Sequence, residues 1–93
     1  ADYLLRREVR HAERQVARSI SVPLTVNQFS ALVSFTFNVG GGAFYASTLR
    51  RKINRSEIES AASEFKRWRY AGGRVLPGLV KRRRSECKLF LSA

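Results

Sequence analysis

Residues 24 to 40 read LTVNQFSALVSFTFNVG, and the fold turns on how this stretch is read. Thr25 and Gln28 have the spacing of a capping box, in which each side chain satisfies a backbone N–H at a helix start. Behind them Phe29, Leu32, Val33, Phe35, Phe37 and Val39 make the predicted helix apolar almost all round. Only Ser30, Ser34 and Asn38 interrupt it, four residues apart on one narrow strip. A helix with so little polar surface must be surrounded by others, so the expectation is a helical domain built around it. The small strip would let a neighbouring backbone come close, with Asn38 at the helix exit. The glycines at 40, 41 and 42 then stop the helix through positive φ and a tight turn. They are no phosphate loop, because neither a preceding strand nor a Lys-Ser/Thr pair accompanies them.

Working outward toward the N-terminus, Leu5, Val9, Ala12, Val16 and Ile20 form one stripe at helical period, which predicts a helix over residues 2–20. Arg7, Arg10, Arg14 and Arg18 take the opposite face, with His11 beside them, and read as a solvated side. Pro23 ends that helix. Toward the C-terminus, Phe44, Leu49 and Ile53 face inward, Ser47 is the expected cap and Asn54 closes the segment. Ser56 and Glu59 suggest a second capping box, opening a helix to about Arg69 whose inner face is Ile58, Ala61, Ala62, Phe65 and Trp68. Gly72 and Gly73 break it. Pro77 suits the first turn of a last helix reaching Leu91. Its inner arc holds Leu79, Val80, Cys87, Phe90 and Leu91, with Arg83 inside the arc. A guanidinium there needs a partner, and Glu86, three residues on, is within reach. No stretch alternates at period two, so the class is all-α.

The 93 residues allow one domain with a thin core, and 44% hydrophobic content is too much for a disordered tail. A lone cysteine excludes an internal disulfide and a cysteine zinc site. No apolar run approaches the roughly 18 residues of a membrane span, and the N-terminus shows no signal-peptide pattern. The net charge of +11 draws the chain toward polyanions without choosing among nucleic acid, anionic lipid and cell-wall polymer.

Little here suits nucleophilic or metal chemistry. His11 and Cys87 sit on the first and last helices, and no metal or cofactor is expected. Glycoside cleavage needs two carboxyls flanking the bond, one held protonated as acid. Glu8 and Glu13 lie among arginines, Glu57, Glu59 and Glu64 read as first-turn or surface residues, and Glu86 has Arg83 beside it. No general acid is visible.

Three blocks carry a resemblance: residues 24 to 40, STLRRKIN at 47 to 54, and AASEFKRWRYAGGRVLPGLVKRRRSE at 61 to 86. Their order and spacing, with Gln-Phe-x-Ala-Leu-x-Ser-Phe-x-Phe-Asn-x-Gly, resemble the C-terminal half of phage-type lysozymes (endolysins) over nearly the whole chain. The resemblance implies a lysozyme-like helical C-terminal lobe, residues 23–93, behind a long connecting helix, residues 1–22. It implies a muramidase acting on peptidoglycan glycan strands between N-acetylmuramic acid and N-acetylglucosamine, made in the bacterial host cytoplasm and working at the cell wall. In that family the catalytic glutamate, aspartate and threonine precede the connecting helix. No residue here matches them, so the N-terminal catalytic lobe is expected to be absent, the catalytic set is none, and the isolated chain is expected to be inactive. The floor of the cleft does carry over: Asn38 as the polar residue facing the active site, with Phe37, Trp68, Gly72 and Gly73 lining or supporting that wall. Surface left bare by a missing lobe would favour self-association. The alternatives are a cationic wall- or membrane-binding module, acting through residues 81 to 88, and, behind it, a basic helical nucleic-acid binder. No recognition-helix pattern supports the last, and no nucleic-acid partner is expected.

Overall fold

The computed structural model describes residues 2–92, with side chains from residue 6 onward; Leu5 of the first stripe therefore lies outside the described side chains. Among the described residues the elements are α1 (Asp2–Ser19), α2 (Val26–Val39), α3 (Gly41–Ala46), α4 (Thr48–Asn54), α5 (Ile58–Glu64), β1 (Tyr70–Ala71), β2 (Arg74–Val75) and α6 (Pro77–Leu91), with a turn of 3-10 helix (Phe65–Arg67) after α5. The class is all-α, as the patterning requires.

The capping box at the start of α2 forms in both directions: Thr25 Oγ1 accepts from the Gln28 N–H at 3.0 Å, and Gln28 Oε1 accepts from the Thr25 N–H at 2.9 Å. The helix it opens occupies the centre. Ala31, Leu32 and Phe35 are fully buried, with α1 on one side and α6 on another. Phe35 is the hub. The rings of Phe44, Phe65 and Trp68 meet it edge-on at 6.1, 5.4 and 5.3 Å, and Phe65 passes the contact to Phe90 at 5.4 Å. Edge-to-face pairs of this kind add to the area they bury, because the positive ring edge meets a negative face. α1 lays Ala12 and Val16 on this core and leaves Arg10, Arg14 and Arg18 exposed. Ser47 caps α4 by accepting from the Arg50 N–H at 3.1 Å. Phe44, Leu49 and Ile53 are all fully buried.

Four details depart from the sequence reading. Of the three consecutive glycines only Gly40 has positive φ, at 97°, and Gly41 and Gly42 belong to α3. A Cβ on Gly41 would fall 1.9 Å from the Gln15 amide, so the missing side chain leaves room for that amide. The second capping box does not form. Ser56 sits in the left-handed region at φ 60°, Glu57 takes the cap position without a side-chain bond, and α5 ends at Glu64 rather than Arg69. Residues 70–75 form a small hairpin, with Tyr70 opposite Val75 and Ala71 opposite Arg74. Its two-residue loop, Gly72 and Gly73, has φ of 58° and 78°, and a type I′ turn requires positive φ at both positions. Strands of two residues are too short to show alternation. On α6, Leu91 points to solvent while Glu86 is buried and Leu89 packs on the core. The inner face of α6 is more polar than its apolar spacing suggested.

Candidate functional site

The strip of small residues on α2 seats that polar face. Ser34 Oγ donates to Glu86 Oε2 at 2.6 Å. Arg83 Nη2 donates to the same carboxylate oxygen at 3.2 Å and to Asn38 Oδ1 at 3.0 Å. Arg83 Nε lies 2.8 Å from Glu86 Oε1, an ion-pair contact too bent to count as a hydrogen bond. The guanidinium also stands over the Phe35 ring at 5.0 Å. Arg82 adds a second cation 3.4 Å from Glu86. Arg83 and Glu86 keep only 1% and 4% of their exposure.

Burial raises the Glu86 carboxyl above the ordinary carboxylate range, offset in part by the Ser34 hydroxyl and by Arg83 and Arg82. Burial likewise lowers the Arg83 guanidinium from its usual value, with Glu86 pulling it back up. The small strip on α2 does not admit a neighbouring backbone. It instead receives a charged pair, because a buried guanidinium and carboxylate need every donor and acceptor within reach.

Asn38 is exposed at the end of α2, with its carbonyl oxygen bound to Arg83. Trp68 is half-buried against Phe35, so Asn38, Arg83, Phe35 and Trp68 form one continuous cluster. Gly72 and Gly73 lie beyond it at the exposed hairpin tip. Phe37, next to Asn38, faces α1. There it helps line a concavity of about 950 Å³ with Arg10, His11, Arg14 and Thr36, and a narrower groove of about 330 Å³ with Val9, Phe29 and Val33. Neither of these hollows is lined by Asn38, Trp68, Gly72 or Gly73. The sequence reading did not foresee the arginine wall of the larger one. Its signal, basic residues at positions 7, 10 and 14, is also that of any solvated helix face. Among the described residues no group of histidine, cysteine and carboxylates could hold a metal ion.

The sequence matches the phage lysozyme family over residues 1–86. The chain belongs to the phage lysozyme family. It is 46% identical to an endolysin of Bacillus phage B103 over 92 residues, covering 99% of this chain and 35% of that protein. It is 42% identical to an endolysin of Acyrthosiphon pisum secondary endosymbiont phage 1, covering 100% of this chain and 66% of the relative. Among solved structures it superposes on the muramidase domain of SpmX from Asticaccaulis excentricus with a TM-score of 0.91 at 40% identity, covering 99% of this chain and 65% of that one. A P22 lysozyme variant superposes with a TM-score of 0.88 at 37% identity, covering 97% and 61%. The chain thus spans between about a third and two-thirds of the length of these family members.

Proposed function

We propose that the chain is the helical wall of a peptidoglycan muramidase, with α1 as the connecting helix, and that by itself it holds glycan strands without cleaving them. The observation that carries this reading is the family match over residues 1–86, joined to an exposed Asn38 whose orientation is held from beneath by a buried ion pair. In the whole enzyme the bond cut would be the β-1,4 link from N-acetylmuramic acid to N-acetylglucosamine, and the place of action the cell wall.

The carboxylates support the inactive half of the reading. A general acid for this reaction must be protonated near neutral pH and within reach of the leaving oxygen. Glu86 has a raised pKa but is sealed between α2 and α6. Glu64 is buried 2.8 Å from Lys52, and Glu57 pairs with Arg55 at 2.9 Å. Glu8 and Glu59 are exposed and Glu13 is half-buried. The side chain of Asp2 lies outside the described residues. A peptidoglycan suspension is expected to stay turbid with this chain. Clearing that one of the six glutamates abolishes when changed to glutamine would overturn the inactive half, and clearing that survives all six changes would point to Asp2 or a different chemistry.

A second reading, a cationic module for wall or membrane polyanions, has Lys81, Arg84 and Lys88 exposed along one side of α6 in its favour. Sedimentation with anionic vesicles but not with purified peptidoglycan would favour it over the first.

A further inference from the structure

The glycan-wall reading leaves open what Asn38 offers a ligand, since a carboxamide can donate through Nδ2 or accept through Oδ1. The structure settles the polarity. Arg83 carries donors and no acceptor, and it stays charged at any ordinary pH. Its Nη2 lies 3.0 Å from the Asn38 side chain, so the group facing it must be Oδ1; the flipped amide would set N–H against N–H. The guanidinium cannot turn away to permit the flip. Glu86 holds it at Nε and Nη2, the Phe35 ring lies beneath it, and Glu86 is in turn fixed by Ser34 and Arg82. A carboxamide is planar, so anchoring Oδ1 inward turns Nδ2 outward. Among the described residues Nδ2 makes no hydrogen bond, and Asn38 is exposed.

We propose that Arg83 is a positioning residue that commits Asn38 to act as a hydrogen-bond donor at the cleft surface, and that the group it receives is the acetamido carbonyl oxygen of an N-acetylated sugar. This inference rests on the glycan-wall reading above. On a neutral glycan strand that carbonyl is the strongest acceptor, ahead of the ring and glycosidic ether oxygens and of the hydroxyls, each of which can serve a donor or an acceptor. A fixed donor therefore favours the acetamido group, whereas an amide free to flip would serve a hydroxyl as donor or acceptor alike, and the buried ion pair becomes a specificity device that never touches the sugar.

The test uses the whole 93-residue chain, labelled with nitrogen-15, titrated with N-acetylglucosamine trimer and, in parallel, with cellotriose, a neutral trimer without acetamido groups. The Asn38 side-chain NH2 signals, assigned by their loss in Asn38→Asp, are expected to move with the acetylated trimer and stay still with cellotriose. Asn38→Asp keeps an acceptor for Arg83 but removes the donor, so it should stay folded while affinity for the acetylated trimer drops about ten-fold, the value of one good hydrogen bond. The double change Arg83→Met with Glu86→Gln removes the anchor without stranding a buried charge, and should weaken binding similarly with Asn38 itself unaltered.

If the acetylated trimer moves other signals and leaves the Asn38 NH2 unmoved, or if folded Asn38→Asp or the folded double variant binds as tightly as the original chain, the donor role is overturned and the glycan wall stands. If no signal moves with either trimer, the glycan-wall reading falls, and this inference with it.

Discussion

Arg82, Arg83 and Arg84 are adjacent in sequence and differ in everything the fold decides. Arg83 is 1% exposed and bound to Glu86 and Asn38, while its neighbours are exposed. Arg83→Ala leaves Glu86 buried beside only the more distant Arg82 and removes the packing over Phe35, so a loss of about 2–4 kcal/mol is expected, against under about 1 kcal/mol for Arg82→Ala or Arg84→Ala. Urea denaturation of the three variants checks this, and equal small losses would place all three arginines in one solvated patch. Glu86 has its own signature. Its folded pKa is raised by burial above the unfolded value, so the native state binds more protons than the unfolded chain between the two. Its contribution is therefore complete below the unfolded carboxylate value of about 4.3 and is lost as pH rises through the folded one. Glu86→Gln stays neutral throughout. The unfolding free-energy difference between the original chain and this variant should drift in the variant's favour from about pH 4 toward neutrality. A flat difference, or a drift the other way, would mean that the surrounding cations outweigh the burial.

At the scale of elements, the reading succeeded where a local signal had one meaning. The Thr25–Gln28 box, Ser47 and Pro77 all mark helix starts. It failed at Ser56 and Glu59, which have capping spacing but not capping geometry, because the chain leaving α4 must turn sharply before α5. Ser56 N donates to Ile53 O at 2.8 Å in that turn, and its φ of 60° is left-handed. A non-glycine residue there carries roughly 1 kcal/mol of strain, part of which glycine's greater freedom in the unfolded chain would offset. Ser56→Gly is thus expected to stabilise the fold by about 0.5 kcal/mol, a small rise in the thermal midpoint. A fall in that midpoint would show that the serine side chain makes up for the strain. The hairpin was missed for a related reason: its paired glycines were visible as a break, but two-residue strands carry no periodicity to name what the break contains.

For the molecule as a whole, α1 lies docked on the lobe through Ala12 and Val16, while the groove between them keeps Val9, Phe29, Val33 and Phe37 only half-buried. Apolar surface of this kind favours association. We expect the chain to pair with a second copy through this groove, and sedimentation across a wide concentration range should show the mass rising; a monomer throughout would exclude it. The net charge of +11 opposes that pairing, so added salt should strengthen it. By itself the sequence determined the helical class, the central place of residues 26–39 and most helix starts, because hydrophobic period and caps act over a few neighbouring residues; the family followed from residue-by-residue likeness to phage lysozymes. Tertiary structure alone decided that the serine strip would meet Glu86 and Arg83, that Leu91 would face out, and that Asn38 would be held by its oxygen. Those outcomes depend on partners 45 and 52 residues apart in the chain, whose meeting is set by how α6 crosses α2 and by the cost of leaving a buried charge unpaired.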